Sequence, residues 1–179
     1  MFVAHSPAGY LVTRFYLRAI APGHINASFL KYYVMFGVFC SVLPDFDLFY
    51  FYLIDNRQHV HHTYWTHIPM FWVLLSGLLY FGAKAMFKKN IGQACVILLM
   101  NTQLHMLLDS VAGGIYWLYP LSSEKYRLFE VTAGFNWWVF NFIFHWSFLF
   151  ELLIITAAAY VVREDRKMVP TNTASQYES

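Results

Sequence analysis

The run FLKYYVMFGVFCSVLPDFDLFYFYL, from Phe29 to Leu53, holds Lys31 near its start and Asp45 and Asp47 near its end, and is otherwise free of charge. An α-helix crosses the hydrocarbon core of a bilayer in about 20 residues and pairs its backbone polar groups within the span. This run is long enough to do so, and Pro44 is expected to interrupt the helical hydrogen bonding near one end. Asp45 and Asp47, at i and i+2, would then sit on irregular backbone, which suits the presentation of ligands. Composition extends the reading to the whole chain. Of its 179 residues 59% are hydrophobic and 12% charged, with a mean hydropathy of +0.44, against about 25% charged in soluble domains. Too few polar side chains remain to cover a soluble core, and neither a disordered chain nor a disulfide-stapled secreted one fits. The net charge of +2 argues against nucleic acid as a partner. Cys40 and Cys95 lie in apolar runs without metal-type spacing, so no disulfide or redox role is read from them.

Three further stretches read as membrane spans: Ile68 to Phe87, Ile91 to Leu108, and Trp137 to Val162, the last closed by Arg163-Glu164-Asp165-Arg166-Lys167. A fifth, Phe2 to Ile20, carries Arg14 and Arg18 in its second half, where long basic side chains reach the interface. Ala21-Pro22-Gly23 ends it. The expected fold is all-α, a polytopic transmembrane bundle of about five helices. It forms one membrane-embedded domain over residues 1–169, with a disordered tail from Pro170 to Ser179. No internal repeat and no removable signal peptide are read. Cytoplasmic loops are enriched in Lys and Arg. With the N-terminus outside, Arg14, Arg18, Lys31, Lys84, Lys88, Lys89, Arg163, Arg166 and Lys167 fall at cytoplasmic ends, nine of the twelve basic residues, leaving Arg57, Lys125 and Arg127 outside. A first segment lying on the cytoplasmic surface would leave the other four spans in the same orientation. Ser110 to Asn136, with Gly113-Gly114, Pro120 and Gly134, reads as an outer loop. Its Tyr116, Trp117 and Tyr119, with Trp137 and Trp138, suit the interfacial aromatic belt.

A charged group deep in a bilayer is costly unless paired, wet or metal-bound, so each one carries a functional hypothesis. Three clusters stand out: Asp45 with Asp47, the run His59-Val60-His61-His62-Thr63-Tyr64-Trp65-Thr66-His67, and His105 with Asp109. The last pair is at i and i+4, so a helix puts both on one face. The orientation count used no histidine or aspartate, yet it gathers all three clusters at the outer face, and His5 joins them if the first span starts outside. Imidazole nitrogen and carboxylate oxygen suit zinc, manganese or iron better than copper(I) or calcium. Such an ion lowers the pKa of a bound water from 15.7 to about 7, and a nearby carboxylate can serve as general base, so hydrolysis is the natural reaction class.

The order of these motifs resembles the bacterial inner-membrane metal-dependent hydrolase family, the YdjM-like proteins. That family has an early histidine, a Pro-Asp-x-Asp element, a His-Arg-Gly-x-Thr-His element, and a His-x-x-x-Asp element followed by glycine and proline. Here these read as His5, Pro44-Asp45-Phe46-Asp47, His62-Thr63-Tyr64-Trp65-Thr66-His67, and His105 through Asp109 with Gly113 and Pro120. No one motif is specific, but four in order at similar spacing, over about residues 5 to 120, are considerably stronger. Thr63 and Tyr64 stand where the family has arginine and glycine, and Ile68 where serine often follows. If the family arginine holds an anion, Arg57 or Arg127 could replace it from the outer loops. The resemblance implies metal-dependent hydrolysis, with phosphoester cleavage favoured by analogy to zinc phospholipase C and related nucleases.

The expected metal ligands are His5, Asp45, Asp47, His62, His67, His105 and Asp109, with Asp45, Asp47, His105 and Asp109 as the catalytic residues and zinc, manganese or iron as the cofactor. The substrate expected is lipid-linked or amphiphilic, met at the non-cytoplasmic face of a bacterial inner membrane. Against each stands a plainer reading. His105 and Asp109 could be an interhelical hydrogen-bonded pair, Asp45 and Asp47 a helix cap, and His59 and His61 solvated loop residues. His24 falls at the cytoplasmic turn, and His145 and Glu151 read as an interhelical polar contact. Phe142, Phe144, Trp146 and Phe148 read as packing or lipid-facing residues. The rival functions are a b-type haem protein using His67, His105 or His145, a transporter or proton relay, and a scaffold.

Overall fold

The structure, a computed structural model, describes residues 3–20, 27–59, 61–86, 91–132 and 134–167, without the side chains of Ala27, His61 and Trp138. The expected span ends at Phe2 and Phe87, the Ala21-Pro22-Gly23 turn, His24 and the tail from Pro170 to Ser179 lie outside the described residues. The chain runs through α1 (His5–Ile20), α2 (Ala27–Val42), a 3-10 turn (Leu43–Phe46) and α3 (Asp47–Leu53). Two short 3-10 turns (His61–Thr63 and Trp65–His67) then lead into α4 (Pro69–Ala85), followed by α5 (Ile91–Asp109), α6 (Trp138–Ile143) and α7 (Phe148–Lys167). Among the described residues no strand forms. Ile115 and Tyr126 make one isolated antiparallel bridge in the connection from α5 to α6.

Among the described residues two helical stretches are long and apolar enough to cross a membrane: Ser28–Leu53, 26 residues continuing through the 3-10 turn, and Ile91–Asp109, 19 residues. Pro69–Ala85 is apolar but shorter. The expectation of one span from Trp137 to Val162 needs correction, since α6 ends at Ile143 and α7 begins at Phe148. Between them the His145 Nδ1 lies 2.8 Å from the Ser147 hydroxyl and accepts from the Ser147 backbone N–H. Such local side-chain bonds compete with the helical ladder and end it.

α1 lies close against α2 because small residues face each other. Gly37 meets Thr13 and Gly9 meets Ser41, and a methyl group on either glycine would overlap its neighbour's side chain. Thr13 also accepts a 2.9 Å hydrogen bond from Asn101, which ties α1 to α5. Gly37→Val is therefore expected to lower stability by about 1–3 kcal/mol through overpacking, read as a depressed thermal midpoint of the detergent-purified protein.

Buried polar side chains, among them Thr13, Ser41, Ser76, Asn101, Thr102, His67 and His105, outnumber the buried apolar ones. Leu74, Leu78, Phe81, Leu149 and Leu153 face outward. This inverted distribution is what a lipid solvent permits, because lipid does not drive apolar side chains inward. A small apolar cluster of Cys40, Trp72, Leu98, Met106 and Ile115 joins the last turn of α2, the first turn of α4, α5 and the connection that follows it. The start of α1, the end of α2, the entry to α4 and the end of α5 meet at one end of the bundle, and every costly cluster named above belongs to that end.

Candidate metal centre

Pro44 prepares the site. In the 3-10 pattern of Leu43–Phe46 the donor for the Ser41 carbonyl would be residue 44, a proline with no N–H. The Nδ1 of His105 takes that place, 2.7 Å from the Ser41 oxygen. A carbonyl only accepts, so Nδ1 carries the proton and the lone pair of a neutral ring lies on Nε2. His67 is fixed likewise, with Nδ1 2.6 Å from Asp47 Oδ2, which also accepts from the Thr66 hydroxyl at 2.6 Å. In turn the Thr66 carbonyl accepts from the Trp72 indole at 2.7 Å, anchoring this turn to α4.

Both Nε2 atoms thereby face two carboxylates. His105 Nε2 is 3.0 Å from Asp109 Oδ2 and 3.5 Å from Asp45 Oδ1, and His67 Nε2 is 3.7 and 3.6 Å from the same two oxygens. A tetrahedral ion with bonds of about 2.0–2.2 Å holds its ligands roughly 3.3–3.6 Å apart. Of the four nitrogen–oxygen separations two, 3.5 and 3.6 Å, match such an edge and the other two, 3.0 and 3.7 Å, fall just outside it, and all four ligand atoms lie within 4.8 Å of one another. Asp45, His67, His105 and Asp109 form a group able to hold a metal ion. His105 Nε2 is buried and makes no hydrogen bond despite these neighbours, as expected of lone pairs aimed at a common point. Burial disfavours a charge on the His67 ring, but the carboxylates of Asp45 and Asp47 outweigh it and raise its pKa. A metal ion bound there would have to compete with a proton for this ring. His67, His105 and Asp109 are buried, whereas the Asp45 side chain is 27% exposed, so the group opens on the Asp45 side.

The other expected ligands surround this group. His5 stacks on His105 with ring centroids 3.9 Å apart, its Nε2 3.1 Å from Asp109 Oδ1. His62 Nε2 is 3.5 Å from Asp109 Oδ2. Its ring fits only because residue 113 is glycine, since a Cβ there would overlap it. Asp47 stands behind His67, orienting the ring rather than joining the group of four. His59 turns away to Asp55, where its hydrogen bonds outweigh desolvation and hold that carboxyl down at about 2. His145 stays with Ser147. The arginines offered as substitutes for the family's are engaged elsewhere: Arg57 lies over the Tyr52 ring and Arg127 pairs with Glu130 at 3.0 Å. A haem would need a flat opening between two imidazoles, and here Asp45 and Asp109 occupy the space between His67 and His105. Sequence reasoning missed Thr66 and the Ser41 carbonyl. The proline three residues after Ser41 was the available signal for the second.

Fold and site together define a helical membrane protein with a buried histidine–aspartate cluster at one end of its bundle. The model of the YdjM inner membrane protein family matches residues 1–173. The chain belongs to that family, the one its motif order resembles. No curated protein and no solved structure matches the chain.

Proposed function

We propose that the protein is a membrane-embedded metal-dependent hydrolase that cleaves a phosphoester in a lipid-linked or amphiphilic substrate. The observation that carries this reading is the set of four nitrogen and oxygen atoms within 4.8 Å of one another, with both imidazoles held in the ligating tautomer by Ser41 and Asp47. Zinc fits this set best, manganese and iron next. Such an ion, when bound, makes hydroxide available near neutral pH and stabilises charge on a phosphoryl oxygen. The chain's own residues divide the remaining work. His67, His105 and Asp109 form the buried anchor. Asp45, at the opening, is in this reading not a ligand but the carboxylate that takes a proton from water as general base, leaving the ion's fourth position open. In this reading the bundle crosses the membrane with five helices, and the basic-residue count puts the site at the non-cytoplasmic face. A substrate with acyl chains would reach Asp45 sideways from the lipid.

A second reading rests on the number of ligands. Four protein ligands close a tetrahedron, the habit of structural zinc, whereas catalytic zinc keeps a position open. One experiment tests both. Purified protein, reloaded with zinc or manganese in mixed micelles, is screened for phosphate release from phospholipid and lipid-linked phosphoester substrates beside Asp109→Ala and Asp45→Ala. Hydrolysis lost in both, with metal kept in Asp45→Ala, supports the hydrolase. Full activity in Asp109→Ala contradicts it, and metal bound without hydrolysis of any substrate leaves the structural ion.

A further inference from the structure

Helical bonding in α1 begins with the Ala8 N–H donating to the Ala4 carbonyl at 2.9 Å. The N–H groups of Val3 and Ala4 therefore have no partner within the helix. Ala4 is fully buried, so water does not supply one. Both donate instead to a single carboxylate oxygen from α7, Glu151 Oε2, at 2.5 and 3.1 Å. Glu151 is itself buried, and its negative charge meets the positive end of the α1 dipole. The next residue along α1 is His5, buried, stacked on His105 and 3.1 Å from Asp109.

α7 contributes nothing to the group of four and packs chiefly on α1. It grips α1 at a second place, where Asp165 takes hydrogen bonds from Arg14, Arg18 and Tyr10. Fourteen residues separate Glu151 from Asp165, about 21 Å of helix. The two helices run in the same direction, tied at both ends. A slip of one residue would move α1 by about 1.5 Å and turn it by about 100°, enough to swing His5 off the site. One tie alone would leave rotation free; two remove it.

We propose that Glu151 is a positioning residue, its carboxylate holding the start of α1 so that His5 stays against Asp109 and His105. The importance of this for a metal centre rests on the function proposed above, but the placement of His5 does not. The test separates the two. Diethylpyrocarbonate is applied to the full-length protein in detergent, and carbethoxylation is quantified by mass spectrometry at His5, His67 and His105 in the natural protein, Glu151→Ala and Glu151→Gln. All three rings are expected to react slowly in the natural protein. In Glu151→Ala the rate at His5 should rise about tenfold or more, because bonds to a charged acceptor are the stronger kind, while His67 and His105 stay protected. Glu151→Gln, which keeps an acceptor but not the charge, should fall between. Unchanged protection of His5 in both variants overturns the proposal. So does equal opening of all three rings, which would make Glu151 a support of the whole fold. Absence of bound metal in the natural protein would remove the proposed function and leave this result standing.

Discussion

Elemental analysis of His105→Ala protein is expected to find zinc, manganese and iron at background, where the natural protein carries about one equivalent of one of them. His105 supplies a ligand atom with two of the four close edges of the group, to Asp109 and to Asp45. Its removal leaves His67 as the one imidazole in the set and brings two carboxylates together without a bridge. Asp109 would keep His5 at 3.1 Å but lose its nearest neighbour, so the emptied site should lower the thermal midpoint as well. Asp109→Asn keeps the shape but removes the charge, and should lose the ion while retaining the elution volume of the natural protein. Equal metal in all three proteins, or none in any, would defeat the metal reading and return the pair to an interhelical contact.

Asp47→Asn is expected to weaken metal affinity about 10- to 100-fold, the range found when the group behind a ligating histidine is changed. The reason lies in the bond from His67 Nδ1 to Asp47 Oδ2 at 2.6 Å, which fixes both the ring's orientation and its tautomer. An amide in that position still accepts a hydrogen bond, but without the charge that raises ligand basicity. Competition against a chelator of known affinity reads the change directly. Affinity unchanged from the natural protein would show that Asp47 has no part in holding the ring. Complete loss would show that Asp47 binds the ion itself.

The distinction between Asp45 and Asp47 marks where the sequence ran out. Two aspartates at i and i+2 after a proline announce irregular backbone, and the 3-10 turn is there, but the spacing does not say which carboxylate faces His67 Nε2 and which faces Nδ1. That depends on the turn's exit into α3 and on Thr66, far along the chain. His105 and Asp109 were legible as a pair because helical periodicity alone puts them on one face. The meeting of four segments at one end of the bundle was legible too, because alternating helix directions follow from the order of spans. The break between Ile143 and Phe148 was not, since His145 and Ser147 look tolerable in an apolar helix until they bond each other. Nor was the reach of Glu151 to the N–H groups of Val3 and Ala4, because backbone acceptors and donors leave no mark in a side-chain pattern.

The four candidate ligands enter the chain at widely separated points, Asp45 first and Asp109 last. At translation rates of about 5–20 residues per second the intervening 64 residues take roughly 3–13 seconds to emerge. His67 follows Asp45 by 22 residues, roughly 1–4 seconds, but His105 is made only near the end of that interval, and His5 waits longer still for Glu151. Synthesis in chain order therefore places the carboxylates of Asp45 and Asp47 ahead of the α5 histidine that is to face one of them. An ion held by all four of these side chains would have to arrive after α5 is in place, which would make loading a late event in assembly rather than a seed for it.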